Sequence, residues 1–224
     1  MAPKITYAQV AYLKVLIQTH LHNRKALFPD VKLRPKHHYM LHYGDLIQDP
    51  EGLKLCTALL ARHFAKSSNR EILFWTVQAE EAEKRGEAMA KEKVLLPQSA
   101  CYFKEKTETL VQVLEEGNTI IDLLPSLPCT PQVVAVGSIF TRSCLVVVEQ
   151  QILFDEPVDF HEAACLLFCA YYVLNMVYTK DLETTLEFIQ RQVCGINPPK
   201  GSKGDGYRRG LVHSKILRLL NDVK

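Results

Sequence analysis

The residues with the clearest chemical potential lie in the stretch KLRPKHHYMLHY, residues 32 to 43. His38 and His42 are four positions apart, so on a helix both imidazoles would reach one metal ion, with Asp45 one turn further along. A closed zinc site needs four ligands and a catalytic site three, and no HExxH motif supplies the others. The spacing therefore does not complete a metal site, and we expect no cofactor.

The same stretch is basic and aromatic, which also suits phosphate groups and stacked bases. A second basic segment, residues 197–210, is rich in Gly and Pro and predicts a loop. The side chains that could contact nucleic acid are Lys32, Arg34, Lys36, His37, His38, Lys200, Lys203, Arg208 and Arg209. This hypothesis predicts binding that weakens steeply with salt and that is lost when the Lys and Arg residues become Ala. The alternative is that the histidines are structural and that the stretch is a solvated edge.

Motifs of known enzyme classes are missing from the sequence. Lys200 precedes Gly201, whereas a phosphate-binding P-loop requires Gly-Lys-Ser/Thr at the start of a helix. Cys165 and Cys169 lie in the most apolar segment, where burial raises a thiol pKa and disfavours nucleophilic attack. Few carboxylates fall on predicted strands, which disfavours metal-dependent phosphoryl transfer. We therefore predict that the protein is not an enzyme.

Composition indicates a globular chain within the cell. Its 224 residues are 47% apolar and 23% charged, and a net charge of +2 does not by itself imply a nucleic-acid partner. The seven cysteines include no CxxC pair, and the N-terminus lacks the features of a signal peptide. The longest apolar run, residues 163–174, is shorter than the roughly 18 residues of a membrane span. We expect a cytoplasmic or nuclear protein with no membrane association.

Helical periodicity dominates the N-terminal half. Apolar residues at Val10, Leu13, Ile17 and Leu21 predict an amphipathic helix over residues 6–22. A shorter helix is predicted over residues 37–47, and a longer one begins at Pro50, with Asp49 as its N-cap, and runs to Phe64. Residues 65–101 follow as a charged helical insertion. Its second half, AEEAEKRGEAMAKEK, is charged on every face, with pairs such as Glu80–Lys84 and Glu87–Lys91, and predicts an exposed arm.

The C-terminal half predicts both strands and helices. A helix over residues 101–116 should end at Gly117, and prolines at 125, 128 and 131 should form a stiff polyproline linker. QVVAVGS and CLVVVEQQILF predict a β-hairpin whose second strand ends at residues 155–157. One apolar helix begins near residue 158, a second is capped by Asp181 and ends at Gly195, and a last helix spans residues 213–223.

The second of these helices contains the block TLEFIQR, residues 185–191, which has two interpretations. Leu182, Leu186, Ile189 and Val193 form an apolar stripe that fits a core. The polar residues Glu187, Gln190 and Arg191 then fit its rim, either as structural residues or as an interaction helix for another protein.

Several blocks resemble a known family. ALFPDVKLRPKHHYMLHY resembles a histidine motif of transposon-derived vertebrate proteins. GDLIQDPEGLKLCTALLARHF, YFKEKTETLVQVL and TPQVVAVGSIFTRSCLVVVEQQILF, together with the segment containing TLEFIQR, resemble fish proteins similar to the C-terminal region of some sterile-alpha-motif-containing proteins. The resemblance covers residues 26–64 and 102–203. Residues 65–101 match none of it, so the chain looks like a joined or truncated member without a sterile alpha motif. The resemblance implies no catalytic residues.

Together these patterns predict a mainly helical α+β protein with one β-hairpin packed on two or three C-terminal helices. The predicted segments are residues 1–64 (helical), 65–101 (charged helical insertion), 102–131 (helix and Pro-rich linker) and 132–224 (hairpin and helices). The leading hypothesis for function is a non-enzymatic interaction module of transposon-associated origin that binds a protein partner. Nucleic-acid binding through residues 32–42 and 200–209 is the alternative.

Overall fold

The computed structural model describes residues 50–115, 117–153, 156–174, 176–193 and 212–223. Within these ranges the chain is an α+β protein with eight α-helices and one four-stranded sheet, which confirms the predicted class. The helices predicted over residues 6–22 and 37–47, and the C-cap predicted at Gly195, lie outside the described residues.

The elements follow one another along the chain with short connections. The helices are α1 (Pro50–Phe64), α2 (Arg70–Lys84), α3 (Ala90–Phe103), α4 (Thr107–Leu110), α5 (Ile120–Leu123), α6 (Phe160–Val173), α7 (Glu183–Phe188) and α8 (Ser214–Asp222). The strands are β1 (Val111–Leu114), β2 (Gln132–Val136), β3 (Cys144–Val148) and β4 (Gln151–Ile152). A 3-10 turn follows α5 at Leu124–Ser126, and a π-helical turn follows α7 at Ile189–Val193.

The sheet has the order β1-β2-β3-β4 and contains the predicted hairpin. β2 and β3 are antiparallel, β3 and β4 are antiparallel, and β1 is parallel to β2. Because side chains alternate between the faces of a strand, Val133 and Val146 point into the main core while Val134 and Val147 point to the opposite face. Helix α6 packs against β2 and β3 and covers the main face. Both faces of the hairpin are therefore buried.

The prediction of a helix over residues 101–116 is wrong for most of these residues. Helix α3 ends at Phe103 because Lys104 adopts a left-handed conformation (φ 59°), and only one helical turn, α4, precedes strand β1. Val111 and Val113 are β-branched and suit a strand, and Val111 pairs with Val133 of β2. Tertiary pairing along the sheet edge thus overrides the helical spacing of the leucines and valines.

The predicted second strand of the hairpin is two strands joined by a tight turn. Glu149 and Gln150 both have positive φ (48° and 62°), which is the signature of a type I′ turn. Such turns favour Asn-Gly, so the sequence Glu-Gln gives no signal for one. The chain therefore reverses after Val148 and returns as β4, where Ile152 pairs with Val147.

The proline-rich stretch is not an extended linker. Residues 120–126 form α5 and the 3-10 turn, in which Pro125 occupies a first-turn position that its fixed φ suits. Leu127 is buried with Val134 and Val147 on the second face of the sheet. The stretch therefore covers this face of the sheet. Its leucines pack against the β-branched side chains, which removes apolar surface from water.

Residues 65–101 are also buried more than predicted. Helix α3 packs along α2, and Ala79, Ala82 and Val94 belong to the same core cluster as the hairpin and α6. A second cluster joins α1, α2, α3, α7 and α8. Within the stretch predicted as an exposed arm, residues 79–93, most residues are exposed, but Ala79, Ala82, Ala90 and Lys93 are buried. The buried clusters include residues on both sides of positions 64, 101 and 131. Lys91 pairs with Glu83 across the two helices at 2.8 Å, rather than with Glu87.

The C-terminal helices agree better with the sequence. Leu182, Leu186 and Ile189 are buried, as their spacing predicted, and Ile216 and Leu219 anchor α8. The predicted cap is wrong, because α7 begins at Glu183 with Leu182 as N-cap. Asp181 instead forms an ion pair with Lys106, whose Nζ donates to Asp181 Oδ2 at 3.0 Å.

Candidate interaction surface

The basic residues predicted to contact nucleic acid are not among the residues that the structure describes. Lys32, Arg34, Lys36, His37, His38, Lys200, Lys203, Arg208 and Arg209 all lie outside the described residues, as does His42 of the hypothetical metal pair. In the part of the chain that the structure describes, no group of three His, Cys, Asp or Glu side chains is arranged to hold a metal ion. Nucleic-acid binding stays a prediction.

The polar residues of the TLEFIQR block are buried, in contrast to the predicted rim. Arg191 Nε donates to Glu187 Oε1 at 2.7 Å, and Tyr178 Oη donates to Gln190 Oε1 at 2.9 Å. The Tyr171 ring meets the Tyr178 ring edge-on at 5.4 Å. Pairing of this kind is what lets an interior hold charged and amide groups. These side chains stabilise the π-helical turn and do not form an exposed face.

Helix α7 receives its N-terminal cap from a distant part of the chain. The Leu182 side chain cannot accept a hydrogen bond, so the amides of the first turn need another partner. Glu105 supplies it: its carboxylate oxygens accept from the backbone N–H of Thr184 at 2.6 Å and of Thr185 at 2.9 Å. Thr185 Oγ1 also donates to this carboxylate at 2.7 Å. This contact fixes α7 to the end of α3.

A buried lysine links α3 to the hairpin loop and to the start of α6. Lys93 Nζ donates to the Phe140 carbonyl at 2.7 Å and pairs with Asp159 Oδ2 at 2.8 Å. The other carboxylate oxygen of Asp159 accepts from the His161 backbone N–H at 2.9 Å. Burial raises the pKa of Asp159, but the hydrogen bonds from Lys93 and His161 and the Lys93 charge outweigh it, so this pKa lies below its ordinary value.

Cys56, Cys101 and Cys144 do not have the environment of a catalytic nucleophile. Burial raises the pKa of Cys101 and of Cys144 to about 12, and it raises the pKa of Cys56 as well. A thiol with a raised pKa carries little thiolate at neutral pH. Cys129 is exposed, and none of the six cysteines in these ranges forms a disulfide.

Helix α2 presents an unusual group of exposed apolar side chains. Leu73, Phe74 and Val77 are 38%, 57% and 48% exposed, and they are three of the eight large apolar side chains that are exposed in the described ranges. Val77 lies four positions after Leu73 and three after Phe74, the two spacings at which side chains are neighbours on a helix, so the three form one patch. We call this patch the α2 apolar face. Isolated exposed apolar residues are normal, whereas a contiguous exposed group is a candidate binding surface.

Two features surround the α2 apolar face. The ring of Trp75, the single tryptophan of the chain, meets the Phe74 ring edge-on at 5.4 Å and is itself partly buried. Beyond Val77 the helix becomes acidic: Glu80 and Glu81 are exposed, and α2 carries four Glu against one Arg and one Lys. The face therefore combines an apolar patch with a neighbouring acidic end.

The sequence contains a signal for this face that periodicity alone did not isolate. In REILFWTV the apolar residues occupy more of the helix circumference than a single buried stripe requires. The structure buries Ile72 on the inner side and leaves Leu73, Phe74 and Val77 on the outer side. The number of apolar residues in REILFWTV, which is larger than one buried face needs, therefore indicated that some of them would be exposed.

Comparisons with known proteins add no further identification. Comparison with protein-family profiles, curated proteins and solved structures finds no match to this chain. The resemblance to transposon-associated fish proteins therefore stays a prediction. Among the helices described, none has the length and apolar character that crossing a bilayer requires.

Proposed function

We propose that this chain is a non-enzymatic protein-interaction module of transposon-associated origin that binds an amphipathic helix on the α2 apolar face. Exposure of Leu73, Phe74 and Val77 as one patch is the observation that carries the proposal. The partner helix would carry apolar residues three and four positions apart, because that spacing matches a helical surface. Basic residues beside its stripe would complement Glu80 and Glu81.

The scaffold for this surface is the rest of the fold. In the proposal, the hairpin and two or three C-terminal helices form the rigid body, and α3 connects that body to α2. Sites on packed helices hold their geometry better than sites on loops. The proposed setting is the cytoplasm or the nucleus, where the thiols remain reduced.

The test uses a designed helical peptide of Leu and Lys with Leu at three- and four-residue spacing. Trp75 reports binding, because a helix that covers Phe74 would exclude water from the neighbouring indole. We expect a saturable shift of Trp75 emission to shorter wavelength. A peptide of the same composition, with Leu distributed around all sides, is the control and should give no saturable shift.

The matched variant is Phe74→Asp. It adds a negative charge, which by electrostatics alone would attract a basic peptide more strongly. Loss of binding in this variant would therefore identify the apolar contact as the cause. Equal binding by the wild-type chain and by Phe74→Asp, or equal binding of both peptides, would contradict the proposed function.

A further inference from the structure

The α2 apolar face has a candidate occupant within the same chain. We propose that the N-terminal segment, residues 4–25, docks on the α2 apolar face and competes there with an external partner helix. This inference rests on the proposed function, because it assigns the resident ligand of the same surface. Three observations support it: the chemistry of the segment, the length of chain that joins it to α1, and the small size of the patch.

The chemistry of residues 4–25 is complementary to the surface. Val10, Leu13, Ile17 and Leu21 are spaced as the apolar stripe of a helix. The segment contains four Lys or Arg residues and no Asp or Glu, whereas α2 carries four Glu and two basic residues. An apolar stripe with basic flanks thus matches an apolar face with an acidic end.

The connection is long enough for this contact. Between Lys25 and Pro50 there are 24 residues, which span on the order of 80 Å when extended. Helix α1 has 15 residues and is therefore only about 22 Å long. The segment can reach the α2 apolar face from the start of α1 whichever way it approaches.

The size of the patch favours a tethered occupant over a second copy of the chain. A standard interface buries roughly 800 Å² on each partner, far more than three partly exposed side chains provide. A weak contact becomes populated when a tether holds the two surfaces at an effective concentration of about 1 mM. Docking within one chain therefore requires less contact area than dimerisation.

The experiment titrates the designed Leu/Lys peptide into three forms of the full chain and follows Trp75 emission. These are the wild type, a stripe variant Leu13→Asp/Ile17→Asp, and a control variant Ala8→Asp/Thr19→Asp. The control adds the same charge on the opposite side of the predicted helix, away from Leu13 and Ile17. We expect the stripe variant to bind the peptide about tenfold more tightly than the wild type, because its own segment no longer competes. The control variant should behave like the wild type.

The other outcomes separate the two proposals. Equal affinity for all three forms would overturn the inference and leave the proposed function in place. Binding to none of them would overturn both. Sedimentation of the wild type gives a further test: a concentration-dependent dimer that dissociates in Phe74→Asp would show that a second copy occupies the face, and would overturn intramolecular docking.

Discussion

The ion pair between Lys93 and Asp159 yields an asymmetric prediction for stability. The Lys93 side chain is only 7% exposed, whereas the Asp159 side chain is 33% exposed. Removal of Asp159 would leave a buried cation with one remaining acceptor, the Phe140 carbonyl. Removal of Lys93 would leave a carboxylate that still accepts from the His161 amide and is partly hydrated. Asp159→Ala should therefore be the more damaging change.

The magnitudes follow from these surroundings. Breaking a buried pair costs about 3–5 kcal/mol, so we expect Asp159→Ala to destabilise by about 4 kcal/mol. Lys93→Met keeps the aliphatic stem and leaves the Phe140 carbonyl without this donor, for which we expect about 1–2 kcal/mol. The double variant should cost about 2–3 kcal/mol, which is less than the sum, because it buries no charge.

Urea unfolding at pH 7, followed by Trp75 emission and circular dichroism, measures these free energies. Glu162→Gln serves as the control, because Glu162 is on the same helix and its contact with exposed Arg142 is 3.9 Å long. Its cost should be about 0.5 kcal/mol. Equal costs for Asp159→Ala and Lys93→Met, or strict additivity in the double variant, would refute the reasoning.

The same pair predicts a dependence on pH. Because the pKa of Asp159 is lower in the folded chain than in the unfolded chain, its contribution is fully present above the unfolded pKa. This contribution to stability is lost as the pH falls through the pKa that Asp159 has in the folded chain. In the acid range the wild type should therefore lose stability relative to Asp159→Ala, and the two unfolding free energies should converge.

Further predictions concern a helix end, a cap and the thiols. Lys104→Gly should stabilise the chain by about 1 kcal/mol in urea unfolding, because Gly adopts the left-handed conformation without strain, whereas Lys104→Ala should be nearly neutral. Glu105→Ala should destabilise the chain by about 2–3 kcal/mol, because the buried amides of α7 lose their acceptor. Glu105→Gln keeps one acceptor oxygen and should cost less in the same assay. In timed alkylation read by mass spectrometry, Cys129 should react in the folded chain, whereas Cys101 and Cys144 should react only on unfolding; equal rates would contradict the burial argument.

Sequence patterns predicted the elements whose causes are local. The start of α1 at Pro50 was predictable because proline suits the first helical position. The β2–β3 hairpin was predictable from two β-branched runs, and the stripe of Leu182, Leu186 and Ile189 from helical spacing. In each case the residues that determine the element lie within it.

The elements that were predicted incorrectly depend on distant parts of the chain. β1 forms because β2 offers it a parallel partner, and the proline-rich segment is buried because the strands offer an apolar face. Neither partner is adjacent in sequence. The turn at Glu149 and Gln150 is a different case, since its residues are not those that a type I′ turn normally prefers.

Helix α3 shows most clearly why a charged pattern was mistaken for an exposed one. Lys93, Gln98 and Ser99 are buried polar residues of this helix, and each has a partner. Lys93 bonds to the Phe140 carbonyl, 47 residues away, Gln98 Nε2 donates to Thr76 Oγ1 at 2.9 Å, and Ser99 Oγ donates to the Leu95 carbonyl at 2.7 Å. A helix contacted by α1, α2 and α7 has no fully solvated side, so its amphipathicity is weak. Exposure was inferred from charge because partners so distant in sequence cannot be read from the helix itself. The α2 apolar face is the converse case: it has more apolar side chains than α3 can cover, so Leu73, Phe74 and Val77 remain exposed.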